Sequence, residues 1–336
     1  MKFIDQNIRI ILFLTITLNF NSCLDSSKYI YNEGFVYGTV YHIIYESPSG
    51  KDLCNVIEEK LEAYNHIFST FDESSVISKI NDNQPVEPDP LFIKCFSRAM
   101  EISKITDGAF DITAGPMVNA WGFGPEQKRT VSPGTIDSLK AITGYDKIRI
   151  TNDRIIKEDP RMKLDMSAIA KGYTCDLLGE FLEKTGCKNY LVEIGGEVVA
   201  KGHNEKGRIW TIGISKPDDT FFTSGEIQAK VSLPEKALAT SGNYRNYYVE
   251  EGKKFAHTIN PKTGYPVEHS LLSTTVLADN CLDADAFATA FMVMGLEKSI
   301  ELYKKIPGIE VYFIYSSDAG ENRIYMSDNF KKQLKK

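Results

Sequence analysis

The stretch NCLDADAFATAFMVMG, residues 280–295, limits the possible folds more than any other part of the chain. As a helix it places Ala284, Phe287, Ala288, Phe291, Val293 and Met294 around its surface, leaving so little polar area that other elements must enclose it. Three oxygen-bearing side chains are nevertheless set into it. Asp283 comes first, and Asp285 and Thr289, four residues apart, share one face. Local chemistry can account for all three: Asp283 before an apolar run is a good N-cap, the helix dipole tolerates a carboxylate at 285, and Thr289 can bond back to a carbonyl. The pair Asp285 and Thr289 also offers two oxygens on one face.

Several other stretches read as elements that could enclose such a helix. GFVYGTVYHIIYE alternates as a strand, DLCNVIEEKLEAYNHIF is an amphipathic helix, and Asp89-Pro90 opens a second helix. Ser132-Pro133 opens a third, and SAIAKGYTCDLLGEFLEKTG is a fourth that Gly186 ends. From Asn189 onward strands dominate: NYLVEIGGEVVA, RIWTIGIS, EIQAKVSL, YYVEEGKKFAHTI and LLSTTVLA. After the enclosed helix come EKSIELYKKI, IEVYFIYS and a short strand near Ile324. Strands joined by short turns predict an α+β fold, antiparallel sheets with packed helices, in a single unit spanning residues 34–330. No linker or repeat divides the chain.

The N-terminus reads as a leader. Lys2 and Arg9 precede an apolar run from Ile10 to Leu18, too short to span a bilayer as a helix, and the run leads to Ser22-Cys23. This pattern resembles a bacterial lipoprotein signal over residues 1–22, with Cys23 lipidated and residues 23–33 as a tether; an ordinary signal peptide or an uncleaved anchor are the alternatives. A lipidated Cys23 would place the protein in the cell envelope, anchored on the non-cytoplasmic face of a bacterial membrane. Removing the leader leaves roughly 310 residues, ample for one large core. The net charge of the whole chain is −6, which argues against a nucleic-acid partner held through phosphates. Cys54, Cys95, Cys175, Cys187 and Cys281 are odd in number and lack C-x-x-C spacing, so neither a disulfide framework nor a zinc knuckle is expected.

Four stretches carry unusual chemistry. TDGAFDITAGPMVNAWGFG (106–124) mixes glycines, which let backbone approach a ligand, with aromatics that stack on flat rings; a tight turn between strands would use the same residues. LDMSAIAKGYTCD (164–176) sets Asp165 and Ser167 before a helix with Lys171 in its first turns, a candidate anion site. ATSGNYRNYY (239–248) reads as a small-residue turn leading to aromatics and Arg245. HTINPKTGYP (257–266) places His257, a candidate base, before a Pro-Lys-Thr-Gly turn.

In this order, with VEIGG and Asp285-x-x-x-Thr289, the stretches resemble the ApbE-like FAD:protein FMN transferases from about Tyr37 to Met294. The resemblance implies that Asp285, Thr289 and the carbonyl of Ala168 hold Mg²⁺, a cation that prefers oxygen ligands and shares its shell with phosphates. It implies FAD as substrate, contacted by Tyr37, Phe71, Ala109, Phe110, Asp111, Asp165, Lys171 and Ile259. Tyr37 stands where methionine is common in the family, and Phe71 where tyrosine or tryptophan is frequent. His257 is implied as general base and Lys171 as a catalytic charge. The implied reaction joins FMN to a threonine of an acceptor protein, in this family a subunit of a membrane redox complex, and releases AMP. The same site would serve an Mg²⁺-dependent FAD pyrophosphatase with water as nucleophile, and a flavin-binding lipoprotein would need the FAD contacts alone.

Overall fold

The computed structural model describes residues 28–125, 131–152, 154–217, 226–243, 247–250 and 253–335; Cys23, the leader and Arg245 lie outside them. The chain opens with β1 (Lys28–Val36), β2 (Thr39–Ser47), α1 (Cys54–Phe68), α2 (Val76–Asn81), α3 (Pro90–Ile105), α4 (Gly115–Ala120) and α5 (Pro133–Ala141). It continues through β3 (Ile148–Thr151), β4 (Arg154–Lys157), α6 (Ala170–Lys184), β5 (Tyr190–Ile194), β6 (Glu197–Lys201), β7 (Thr211–Ser215), β8 (Ile227–Ser232) and β9 (Lys236–Gly242). It closes with β10 (Tyr247–Glu250), β11 (Lys253–Ala256), β12 (Leu271–Ala278), α7 (Cys281–Met294), α8 (Leu296–Tyr303), β13 (Glu310–Ser316), β14 (Asn322–Met326) and α9 (Asp328–Gln333). The architecture is α+β. Eight antiparallel strands form one sheet in the order β1-β2-β5-β6-β9-β12-β13-β14, and three two-stranded ribbons accompany it.

Helix α7 is the enclosed helix that the sequence demands: eleven of its fourteen residues are buried, and it packs on β9, β12 and α6. Its face toward the other helices joins the main core through Phe287 and Phe291. The opposite side of the sheet is closed by the β7–β8 ribbon and α9, with Trp210, Val231 and Phe330 filling a second layer.

Several local expectations change; NYLVEIGGEVVA and YYVEEGKKFAHTI each hold two antiparallel strands, β5–β6 and β10–β11. GFVYGTVYHIIYE is a hairpin rather than one strand, turning at Tyr37 and Gly38, both at positive φ (52° and 73°) as a two-residue hairpin turn requires. Lys28–Glu33, expected in the tether, pair with β2 as part of the sheet's edge strand. The N-cap of α7 is Asn280, whose side chain accepts the Asp283 N–H at 2.8 Å, so Asp283 sits inside the first turn. There it takes a two-pronged contact from Arg98, Nε at 2.7 Å and Nη2 at 2.9 Å. Asp283 lies three residues past a residue that caps equally well, and the earlier one wins. The five cysteines at 54, 95, 175, 187 and 281 are free thiols.

Candidate active site

A cavity of about 930 Å³ is lined by the N-terminus of α6, the β5–β6 turn, the end of β9 and one face of α7. Its wall includes Tyr37, Phe71, Ala109, Phe110, Asp111, Asp165, Ala168, Lys171, His257, Ile259, Asp285 and Thr289, every site residue expected from the sequence. The volume lies at the upper end of the range for small-molecule sites and suits a dinucleotide.

The stretches that line it are locked to one another through backbone. The N–H of Asp165 donates to the carbonyl of Ile112 at 2.7 Å, joining the glycine-aromatic segment to the segment before α6. Trp121 Nε1 donates to the carbonyl of Gly264 at 2.8 Å, which fixes the Pro-Lys-Thr-Gly turn beneath the first segment. His257 lies edge-on to Phe123, ring centroids 6.2 Å apart. Tyr37 reaches from the β1–β2 turn to α6, its hydroxyl 2.9 Å from Thr174 Oγ1. Phe71 stands 72% exposed at the cavity wall, an apolar ring available for stacking.

ATSG is not a turn. Ala239, Thr240 and Ser241 lie in β9, between β6 and β12, and Thr240 Oγ1 sits 2.9 Å from Thr275 Oγ1. Ser241 Oγ is 3.1 Å from Thr289 Oγ1, so the small-residue strand orients the hydroxyl on α7.

Asp111, within the glycine-aromatic segment, has both oxygens engaged. Oδ1 accepts the Thr113 N–H at 2.8 Å and its hydroxyl at 2.6 Å, and Oδ2 accepts the Tyr145 N–H at 2.9 Å. Burial raises its pKa and these donors pull it back. Asp165 Oδ1 accepts the Ser167 N–H at 2.8 Å, closing the turn that presents Ala168.

The charge centre is where α6 crosses α7. Asp285 is 2% exposed and accepts the Gly172 N–H at 3.1 Å. Lys171 Nζ lies 3.8 Å from Asp285, 3.3 Å from Glu197 Oε1 and 3.3 Å from the carbonyl of Ser167. Burial alone would lower the Lys171 pKa, but Asp285 and Glu197 outweigh it and hold the ammonium above its usual range. Burial pushes both carboxyls up, with Lys171 pulling in the opposite direction.

Among the described residues no three His, Cys, Asp or Glu side chains cluster as a metal site. The expected donor set does not need them: one buried carboxylate, one hydroxyl and one carbonyl, all oxygen, fit a hard cation that keeps most of its shell for water and phosphate. Asp285, Thr289 and Ala168 share the cavity wall, so the residues present suit Mg²⁺.

Sequence reasoning missed Glu197, and it left Ser241 without a role. Glu197 follows a double-glycine turn at the head of a strand, where a carboxylate usually faces water; here it is 4% exposed.

Comparison with known proteins places the chain among named relatives. A Haemophilus influenzae protein named FAD:protein FMN transferase is 37% identical over 327 residues, covering 92% of this chain and 93% of its own length. An Escherichia coli K12 protein of the same name is 36% identical over 90% of this chain and 88% of its own. The solved flavin transferase ApbE from Vibrio cholerae superposes with a TM-score of 0.82 at 34% identity, over 92% of this chain and 100% of that one. The ApbE protein from Thermotoga maritima gives 0.81 at 29% identity, over 92% and 100%. The model of the ApbE family matches residues 37–313, and with these relatives it establishes that the chain belongs to the ApbE family.

Proposed function

We propose that the chain is an Mg²⁺-dependent FAD:protein FMN transferase that joins FMN to a threonine of an acceptor protein. One observation carries the reading: residues expected to serve ring binding, phosphate binding, metal ligation and base catalysis, scattered from Tyr37 to Thr289, line one cavity of dinucleotide size.

In the proposed reaction the threonine oxygen forms a bond to the phosphorus on the riboflavin side of the pyrophosphate. The bond from that phosphorus to the bridging oxygen breaks, AMP leaves with the electron pair, and the hydroxyl proton passes to the imidazole of His257. Lys171, held at the head of α6, offsets charge that builds on the phosphate oxygens. Asp285, Thr289 and the carbonyl of Ala168 would hold Mg²⁺, which would supply further neutralisation of the pyrophosphate when bound. The protein's remaining work is positioning, which dominates phosphoryl transfer. Phe71 offers apolar surface to the rings, and the interlocked loops fix the pyrophosphate against α7. The acceptor is a subunit of a membrane redox complex, and lipid on Cys23 keeps the enzyme at the membrane where that subunit resides. No helix among the described residues is long and apolar enough to cross a membrane.

Incubation with FAD, Mg²⁺ and a purified redox subunit bearing a flavinylation threonine, followed by in-gel flavin fluorescence, tests the reading. A fluorescent acceptor band that EDTA abolishes is expected. Free FMN and AMP with an unlabelled acceptor would instead make the protein a pyrophosphatase, and bound but intact FAD would make it a flavin carrier.

A further inference from the structure

The structure assigns Glu197 a part in this site as a positioning residue: it draws the Lys171 ammonium toward itself, so that the lysine holds Asp285 less tightly and competes less with a divalent cation for that carboxylate. The inference rests on the proposed metal site, and three observations support it. First, Lys171 Nζ is closer to Glu197 (3.3 Å) than to Asp285 (3.8 Å), and among the described residues these are the two carboxylates within ion-pair distance of it. Second, Glu197 is fixed from behind, since its strand meets α6 where Cys175 Sγ contacts the Glu197 carbonyl at 3.3 Å, one turn beyond Lys171. Third, Glu197 is 4% exposed and lines the cavity, yet its Oε2 has no hydrogen-bond partner among the described residues.

That third point separates a functional role from a structural one. A buried carboxylate oxygen without a donor is costly, so an ion pair present only for stability would be expected to engage both oxygens. With Glu197 removed, Lys171 has one carboxylate left within reach, and its ammonium can settle on Asp285 in competition with the cation. Removing the charge of Glu197 also takes one negative charge from beside the metal position. Both effects weaken cation binding, and residues that orient a metal ligand typically change metal affinity by ~10- to 100-fold.

The test uses the full chain and Mg²⁺ alone, read as the rise in melting temperature across an Mg²⁺ titration, with transfer kinetics alongside. Glu197→Gln keeps the side-chain shape and an oxygen for Lys171 but deletes the charge. It is expected to raise the half-saturating Mg²⁺ concentration ~10-fold or more, with the metal-free melting temperature nearly unchanged. Glu197→Asp, which restores the charge one methylene short, is expected to recover part of the affinity. In a Lys171→Met background the effect of Glu197→Gln should shrink, because the competing ammonium is gone. An unchanged Mg²⁺ midpoint in Glu197→Gln overturns the assignment, as does an effect of equal size with Lys171 absent. If Mg²⁺ fails to shift the unsubstituted protein, the metal reading falls and this inference with it; a normal parent titration beside a silent Glu197→Gln sinks only the role of Glu197.

Discussion

Gly172→Ala tests how the site is held together, because two opposing effects of known size meet at that residue. Gly172 is helical, and on an exposed helix alanine would stabilise by ~1 kcal/mol. Here a Cβ would lie 2.3 Å from the Cys281 carbonyl oxygen, 2.7 Å from its carbon and 2.8 Å from Asp285 Cβ. An ordinary carbon–oxygen contact is roughly 3.3 Å, so α7 must retreat by about 1 Å. Overpacking of this kind costs ~1–3 kcal/mol, toward the upper end when the neighbour is backbone. The net expectation is a loss of ~2 kcal/mol, or about 4 °C in melting temperature for a chain of this size. The retreat also pulls Asp285 from the Gly172 N–H and from Lys171, and a displacement of ~1 Å can cost ~10²-fold in rate. Gly179 on the same helix is the control, since its Cβ would meet the hydroxyl end of Tyr190 at 3.1 Å and a side chain can yield. Differential scanning fluorimetry and an Mg²⁺ titration of both variants read the result. A Gly172→Ala protein that melts at or above the parent with an unchanged Mg²⁺ midpoint would refute the claim that this crossing sets the site.

Asp285→Ala should lose transfer more completely than Thr289→Val, because it removes the charged one of the proposed ligands, and high Mg²⁺ should partly rescue only the latter by mass action; equal rescue of both would contradict the assignment. His257→Ala should lower transfer by ~10²- to 10⁴-fold while FAD affinity and melting temperature hold; if binding and stability fall together, the ring serves to pack Phe123. Burial lifts the Asp176 carboxyl to about 7, against the pull of the Cys281 and Leu282 N–H groups it accepts. The folded protein therefore keeps a proton that the unfolded chain releases near 3.8, and stability should decline as pH rises from about 4 through 7. Asp176→Asn should flatten that slope in melting curves across pH. Cys23→Ala should release the protein from membranes or block processing; unchanged fractionation would dismiss the lipid anchor.

Features that announce themselves locally were legible in the sequence. Helix α7 was, because apolar residues around a whole helix allow nothing but burial, and α3 and α5 were, because Asp89-Pro90 and Ser132-Pro133 open them as side-chain caps do. The β1–β2 turn was not, since Tyr37 takes a positive φ that Asn or Gly would have signalled. β9 was hidden by composition: Ala239, Thr240 and Ser241 read as a turn, yet small side chains are what a central strand needs where α7 presses on it. Glu197 carried no local mark at all, because its role depends on Lys171, 26 residues away in sequence and 3.3 Å away in space.

The cavity's own charges give a physical reason for a cation. Its wall carries Asp111, Asp165, Glu193, Glu197 and Asp285 against the single ammonium of Lys171 among the described residues, with His257 beside them. Some of that negative charge is engaged locally by hydrogen bonds, since Glu193 Oε2 lies 2.6 Å from His42 Nδ1 and Asp111 accepts from Thr113 and Tyr145. Asp285 and Glu197 are not offset in this way, because one lysine serves both and both are buried. A pyrophosphate brought against that pair meets like charge in a low-dielectric setting, where repulsion is several-fold stronger than in water. Lys171 alone cannot neutralise both the carboxylates and the phosphates. Under the proposed function, a divalent cation held by Asp285 would offset that repulsion and let the buried carboxylates and the phosphates share one site.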